Sequence, residues 1–387
     1  MITCQRDKFD LEDDVTYLNM AYMSPLLTSS VEIGIQALKR KSRPYDINVD
    51  DFFTPVIRVK EAFSRLVDAI NIDSVAIIPS ISYAIANAAK NIPLQSGDRI
   101  IVLEDQFPSN FYSWKNIAEE KGAEVITIMS PVNSEYRGDE WTQAIIDQID
   151  HKTKVVAMPH VHWSDGTKFN LKAIREKLDM IDGYLVIDGT QSIGALPFSI
   201  QDIRPDVLAV SAYKWLLGPY GIGLAYYNDR FYHGKPIEHS WINRLKSDEF
   251  SRLVDYQDQF RPGSSRYSVG EHSNFSIIPM VEKGISQILD WEVETIQSYC
   301  KEISFLTLEE LNKHGFKTLP SSQRGAHLFG IKIPPQIPPK SLATYLKDQK
   351  IHISVRGSYI RVSSYLYNSK EDFKRLQKAL IDALHLF

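Results

Sequence analysis

Apolar positions follow two rhythms along this chain. Over residues 31–40 and 52–70 they recur at the spacing of an amphipathic helix. Beyond Asp73, short unbroken apolar runs take over, at 75–78, 99–103, 124–128, 154–158, 184–187, 207–210 and 222–227. Helical periodicity returns between several of them, at 84–89, 113–121, 141–149 and 171–180. Runs of about five residues with no polar alternation suit strands covered on both faces. Strands alternating with helices predict an α/β unit built on a largely parallel sheet.

The pattern then changes. Residues 276–315 form a long helical stretch with few breakers, read as two helices or one kinked helix. A strand at 326–333 leads into the Pro-rich loop Ile333-Pro334-Pro335-Gln336-Ile337-Pro338-Pro339. A helix at 340–348, strands at 352–355 and 359–363, and a helix at 370–384 follow. This order predicts a smaller α+β domain over 276–387, a large domain over 46–275, and an N-terminal segment, 1–45, packing with the small one.

Composition narrows the function classes. A length of 387 residues suits one large and one small domain, and 43% hydrophobic with 24% charged residues is ordinary for a globular protein. Lys and Arg total 44 against 48 Asp and Glu, a net charge of −4. That balance gives no footprint for nucleic acid or an acidic membrane. Cys4 and Cys300 are far apart, which argues against a disulfide framework or a zinc site. Residues 1–14 are polar and acidic without an apolar core, and no stretch approaches the ~20 apolar residues of a membrane span. The expectation is a cytoplasmic protein.

Candidate chemistry lies just past the strands, because an open α/β sheet binds ligands at the carboxyl ends of its strands. The 184–187 run feeds Asp188-Gly189-Thr190-Gln191, and the 207–210 run feeds Ser211-Ala212-Tyr213-Lys214-Trp215. A lysine leaving a buried strand is costly to desolvate unless its lowered pKa serves a purpose, as in a Schiff-base lysine. Taken alone it reads as a side chain snorkelling to solvent. Asp188, on another strand end, changes that balance: a buried carboxylate there can keep a pyridine nitrogen protonated.

These two segments, Asp188 to Ala195 and Ser211 to Gly221, resemble the class V aminotransferases, a family that includes cysteine desulfurases, kynureninases and isopenicillin-N-epimerase-like proteins. The resemblance runs from Tyr17-Leu18-Asn19 to Arg361. It implies fold type I with a mainly parallel, seven-stranded-type sheet, a homodimer with shared active sites, and pyridoxal 5′-phosphate (PLP) as a Schiff base on Lys214. It further implies that Ser82 and Tyr83 open a helix N-terminus that binds the phosphate, Tyr83 through its backbone N–H. An ordinary Ser cap would look the same. Phe107 stands where the family stacks a ring on the cofactor, though a core Phe is an equal reading. Gln191 matches a partner of the phenolic oxygen, and Ser211 and Tyr213 flank the phosphate. Gly270, in Ser268-Val269-Gly270-Glu271-His272, lies on the loop that approaches the other subunit's phosphate, with Glu271 in place of a usual Thr. His162 is structural or substrate-facing, and Trp163 replaces an Asn of the desulfurases. Arg361 matches the arginine that grips the substrate carboxylate, with Arg356 a rival.

The resemblance leaves several reactions open. Desulfurases need a cysteine on the loop before this arginine, and Arg356-Gly357-Ser358-Tyr359-Ile360 has none. Transamination, epimerisation and kynureninase-like or C–S lyase chemistry remain, with aminotransferase the default and the substrate unspecified. A nicotinamide dehydrogenase would need Gly-x-Gly-x-x-Gly after its first strand, and none is present. A PLP-fold binding protein without catalysis is the reading from another class, and Asp188, Lys214 and Arg361 together argue against it.

Overall fold

The computed structural model describes residues 2–387. A two-residue strand β1 (Thr16–Tyr17) precedes helices α1 (Thr28–Lys41) and α2 (Thr54–Leu66). Strands and helices then alternate: β2 (Val75–Ile78), α3 (Ile81–Asn91), β3 (Arg99–Leu103), α4 (Tyr112–Lys121), β4 (Glu124–Ile128), α5 (Arg137–Gln148), β5 (Thr153–Pro159) and α6 (Leu171–Asp179). Next come β6 (Tyr184–Asp188), the one-turn α7 (Ile200–Ile203), β7 (Val207–Ser211) and β8 (Gly223–Tyr227).

Strands β2 to β8 form one seven-stranded sheet in the order β2-β8-β7-β6-β5-β3-β4. Strand β8 runs antiparallel to both neighbours, and every other pairing is parallel. This is the mainly parallel sheet that the apolar runs predict. Strands β6 and β7 are buried along their whole length. Two apolar layers cover the sheet, one containing Ile187, Leu208, Val281 and Ile285, the other Val186, Ala209 and α3. Because β2, β5, β6 and β7 point the same way, their carboxyl ends gather at one edge.

Helices α8 (Ile277–Trp291) and α9 (Val293–Lys313) account for the long helical stretch. They are broken at Glu292 alone, which adopts φ 62° and ψ 128°. Strands β9 (Lys317–Thr318) and β10 (Leu328–Lys332), helix α10 (Pro339–Asp348), strands β11 (Ile351–His352), β12 (Ser354–Arg356) and β13 (Tyr359–Ser363), and helix α11 (Lys370–Leu386) complete the chain. A four-stranded antiparallel sheet has the order β12-β13-β10-β9. The single strand expected at 352–355 is instead shared out: β11 pairs with β1, and β12 pairs with β13. Its residues change partners midway, which periodicity does not register. Among the described residues no helix is long and apolar enough to cross a membrane.

Candidate active site

Asp188 ends β6 and Ser211 ends the neighbouring β7, with Asp188 paired to Ala209 across the ladder. Lys214 follows in the turn after β7 and is only 6% exposed. Its Nζ lies 5.6 Å from the Phe107 ring centroid and 5.3 Å from that of Tyr213. Burial pulls the Lys214 pKa down to about 8; the Asp188 carboxylate opposes this, and the Arg361 and Arg356 charges add to it. Burial likewise pushes the Asp188 carboxyl above its usual range, against hydrogen bonding from Thr190 and the Lys214 charge. The Thr190 N–H donates to Asp188 Oδ1 at 2.9 Å, and Thr190 Oγ1 accepts from the Ser211 N–H at 3.2 Å. One threonine therefore fixes both strand ends.

A cavity of about 280 Å³ opens over this pair. Of the residues expected at the site, Phe107, Asp188, Gln191, Ser211, Tyr213 and Lys214 line it. Gln191 is held on three sides. Its Oε1 accepts from Trp215 Nε1 at 3.0 Å, its Nε2 donates to the Ala21 carbonyl at 3.1 Å, and its own carbonyl lies 2.8 Å from His327 Nε2.

Helix α3 begins at the cavity, but its cap is Ser80 rather than Ser82. Ser80 Oγ accepts the Tyr83 N–H at 3.3 Å, so that N–H already has a partner. Ser80 and Ile81 line the cavity, whereas Ser82 and Tyr83 do not. The Tyr83 hydroxyl donates to Glu238 Oε2 at 3.0 Å, and the Gly270 N–H donates to Glu238 Oε1 at 2.9 Å. Tyr83 and Gly270 are thus joined through Glu238. The signal for Ser80 was its place directly after β2 in Pro79-Ser80-Ile81, three residues before the N–H it caps.

His162 is also absent from the lining. It is buried beside Trp141, ring centroids 5.1 Å apart, with Nδ1 2.8 Å from Ser164 Oγ. Its neighbours Val161 and Trp163 face the cavity in its place. Thr190, Trp163, Tyr220 and Asn110 are lining residues to which sequence reasoning assigned no role there.

Arg361 sits on β13, opposite Ser354 of β12, and is 2% exposed. Nη1 donates to the Trp163 carbonyl at 2.9 Å and Nη2 to Ser354 Oγ at 3.4 Å, while Nε is buried without a partner. Burial, reinforced by the nearby Arg356 charge, brings its pKa down to about 10. Arg356 stacks its guanidinium over the Trp163 ring at 5.3 Å. Neither cysteine lines the cavity. Cys300 is buried in α9 against the Ser364 carbonyl, where desolvation pushes its thiol up to about 12.

The family model for aminotransferase class-V matches residues 56–376. The chain belongs to that family of PLP-dependent enzymes, with the fold type I architecture described above. An uncharacterised aminotransferase of Schizosaccharomyces pombe is 24% identical over 330 residues, covering 83% of this chain and 80% of that one. The fold is shared with a cysteine desulfurase from Escherichia coli (TM-score 0.82, 18% identity, 99% and 98% of the two chains). It is also shared with a cystine C–S lyase solved with its product cysteine persulfide (TM-score 0.84, 16% identity, 96% and 98%).

The cavity suits PLP on its own chemistry. It offers a buried carboxylate, a desolvated amine, the partly exposed Phe107 ring and the N-terminus of α3, which is suited to an anion.

Proposed function

We propose that this chain is a PLP-dependent enzyme acting on α-amino acids, with Lys214 holding the cofactor, and that its reaction is transamination. The observation that carries the reading is the burial of Lys214 and Asp188 together in one cavity at the carboxyl ends of β6 and β7. PLP, when bound, supplies an electron sink for the charge left when a bond to the substrate's α-carbon breaks.

The chain's own residues do the rest. Asp188 would keep the ring nitrogen protonated, Phe107 would cover a ring face, and Gln191 would meet the phenolic oxygen. Ser211, Tyr213 and the start of α3 would receive the phosphate. Arg361 would take the substrate carboxylate, since its buried Nε keeps an N–H without an acceptor. Lys214 would hold the cofactor through its amine and, when that amine is free, would be the base that takes the substrate's α-proton and the acid that gives it back. No cysteine lines the cavity, which argues against the persulfide route of a desulfurase.

The test is a single turnover. Cofactor-loaded protein is mixed with one amino acid and no acceptor, and products are counted. One equivalent of 2-oxo acid per site, without ammonia, is expected. Continuous ammonia release would assign elimination instead, and racemised but unconverted amino acid would assign epimerisation. No reaction with any amino acid would overturn the reading.

A further inference from the structure

Trp163 lines the cavity, and two arginines pack against it from behind, Arg356 and Arg361, neither of which is itself among the lining residues. Arg356 and Arg361 form no ion pair among the described residues. Arg361 spends two of its five N–H donors on the Trp163 carbonyl and Ser354, and Arg356 spends one on the Val355 carbonyl. The Nε of each is buried without an acceptor. Leaving such donors unpaired is costly, and a carboxylate is an acceptor that would satisfy them.

The two guanidiniums are held at different places around one side chain. Trp163 lines the cavity and is fixed by its Nε1 donating to the Asp105 carbonyl at 2.6 Å. Arg361 grips its backbone, while Arg356 lies over its ring. They sit on adjacent strands of the β12–β13 hairpin, so their separation is set by the sheet. Both charges also reach the Lys214 amine, on which each acts to lower its pKa. A ligand bound over Lys214 is therefore within the field of both.

We infer that the substrate is a dicarboxylic α-amino acid, with Arg361 taking the α-carboxylate and Arg356 the side-chain carboxylate. The inference rests on the amino-acid reading above and deepens it. A neutral side chain would leave Arg356 unmatched at a partly desolvated site, and a cationic one would meet repulsion. Arg suits the role better than Lys because its flat fork stacks on the indole while its edge still meets a carboxylate in two places.

The probe is a pair of unreactive acids of similar size, maleate with two carboxylates and crotonate with one. Calorimetric titration of the cofactor-loaded protein should give maleate the tighter binding by about tenfold or more, the scale of an added charge-assisted pair. Arg356→Gln should bring maleate close to crotonate, and Arg356→Lys should keep only part of the difference. Equal binding of the two acids, no binding of maleate, or an undiminished preference in Arg356→Gln overturns the inference. The wild-type comparison stands even if a variant does not fold. Failure here combined with turnover of neutral amino acids removes the substrate class alone. Failure of every amino acid to react removes the amino-acid reading whatever maleate does.

Discussion

Lys214 is useful because it is desolvated next to a carboxylate, and the two influences pull its pKa in opposite directions. Burial wins, leaving it at about 8 rather than the usual 10.5. Only the neutral amine attacks a carbonyl. Capture of PLP by cofactor-free protein, followed by visible absorbance, should therefore quicken as pH rises to about 8 and then level off. An ordinary lysine would keep accelerating to beyond pH 10. Asp188→Asn removes the influence that holds the pKa up, so its break should move to lower pH; a break that stays put or rises would refute that role. The pairing itself was readable, because two apolar runs ended in Asp188 and in Ser211 to Lys214. Gln191, Tyr213 and Phe107, which the family resemblance supplied, converge on the same cavity. What could not be read was side-chain direction within a loop. His162 and Trp163 are adjacent, yet one is buried against Trp141 and the other faces the cavity. Likewise Tyr83 is drawn to Glu238, a partner 155 residues away in sequence.

Elements are positioned by their ends, and α3 matters most because its start borders the cavity. Ser80 is extended (φ −163°, ψ 162°) and satisfies the Tyr83 N–H, as an N-cap does. Ser80→Ala should cost about 1 kcal/mol of stability in denaturant unfolding, the usual worth of such a cap. Ser82→Ala, at an exposed position inside the helix, should cost much less. The reverse order would show that the helix begins two residues later than described. The apolar runs located all seven strands of the large sheet to within a residue or two, most clearly for the inner strands β6 and β7, which are buried along their whole length, whereas the edge strand β4 is buried only at Ile128. Breaks without a marker residue were harder. Helices α8 and α9 separate at Glu292, with no Gly or Pro to announce it, in a backbone conformation that side chains rarely adopt. Strands β11 and β12 divide between two partners, one of them the N-terminal β1, and local pattern carries no information about a partner more than 300 residues away.

At the scale of the molecule, buried histidines tie distant parts together and make the assembly sensitive to acid. Residues 16–24 run from the pairing with β11 to the cavity wall: the Ala21 carbonyl accepts from Gln191, and the Ser24 N–H donates to the Tyr213 carbonyl at 3.0 Å. On the other side of Gln191, His327 joins its carbonyl to Gln297 of α9. Burial pulls the His327 pKa down to about 4, and those of His160 and His272 to about 3, from the usual 6.5. In each case the unfolded chain takes up a proton near pH 6.5, whereas the folded chain stays neutral until well below that. Between these values the unfolded state binds more protons, so stability falls as pH falls, by up to about 1.4 kcal/mol per pH unit for each group. Three groups together approach about 4 kcal/mol per unit near pH 5, a large share of a typical stability of about 5–15 kcal/mol. Asp188 works in the opposite sense, because its raised pKa lets the folded state take a proton first. Urea unfolding with the cofactor saturating should therefore show stability dropping steeply from pH 6.5 towards pH 4.5. His160 is the cleanest of the three to remove, since its Nδ1 has no hydrogen-bond partner to lose. His160→Asn should flatten the slope by about a third, one titrating group of three. A stability that is level across this range, or a variant with the parent's slope, would mean that these histidines reach water in the folded protein.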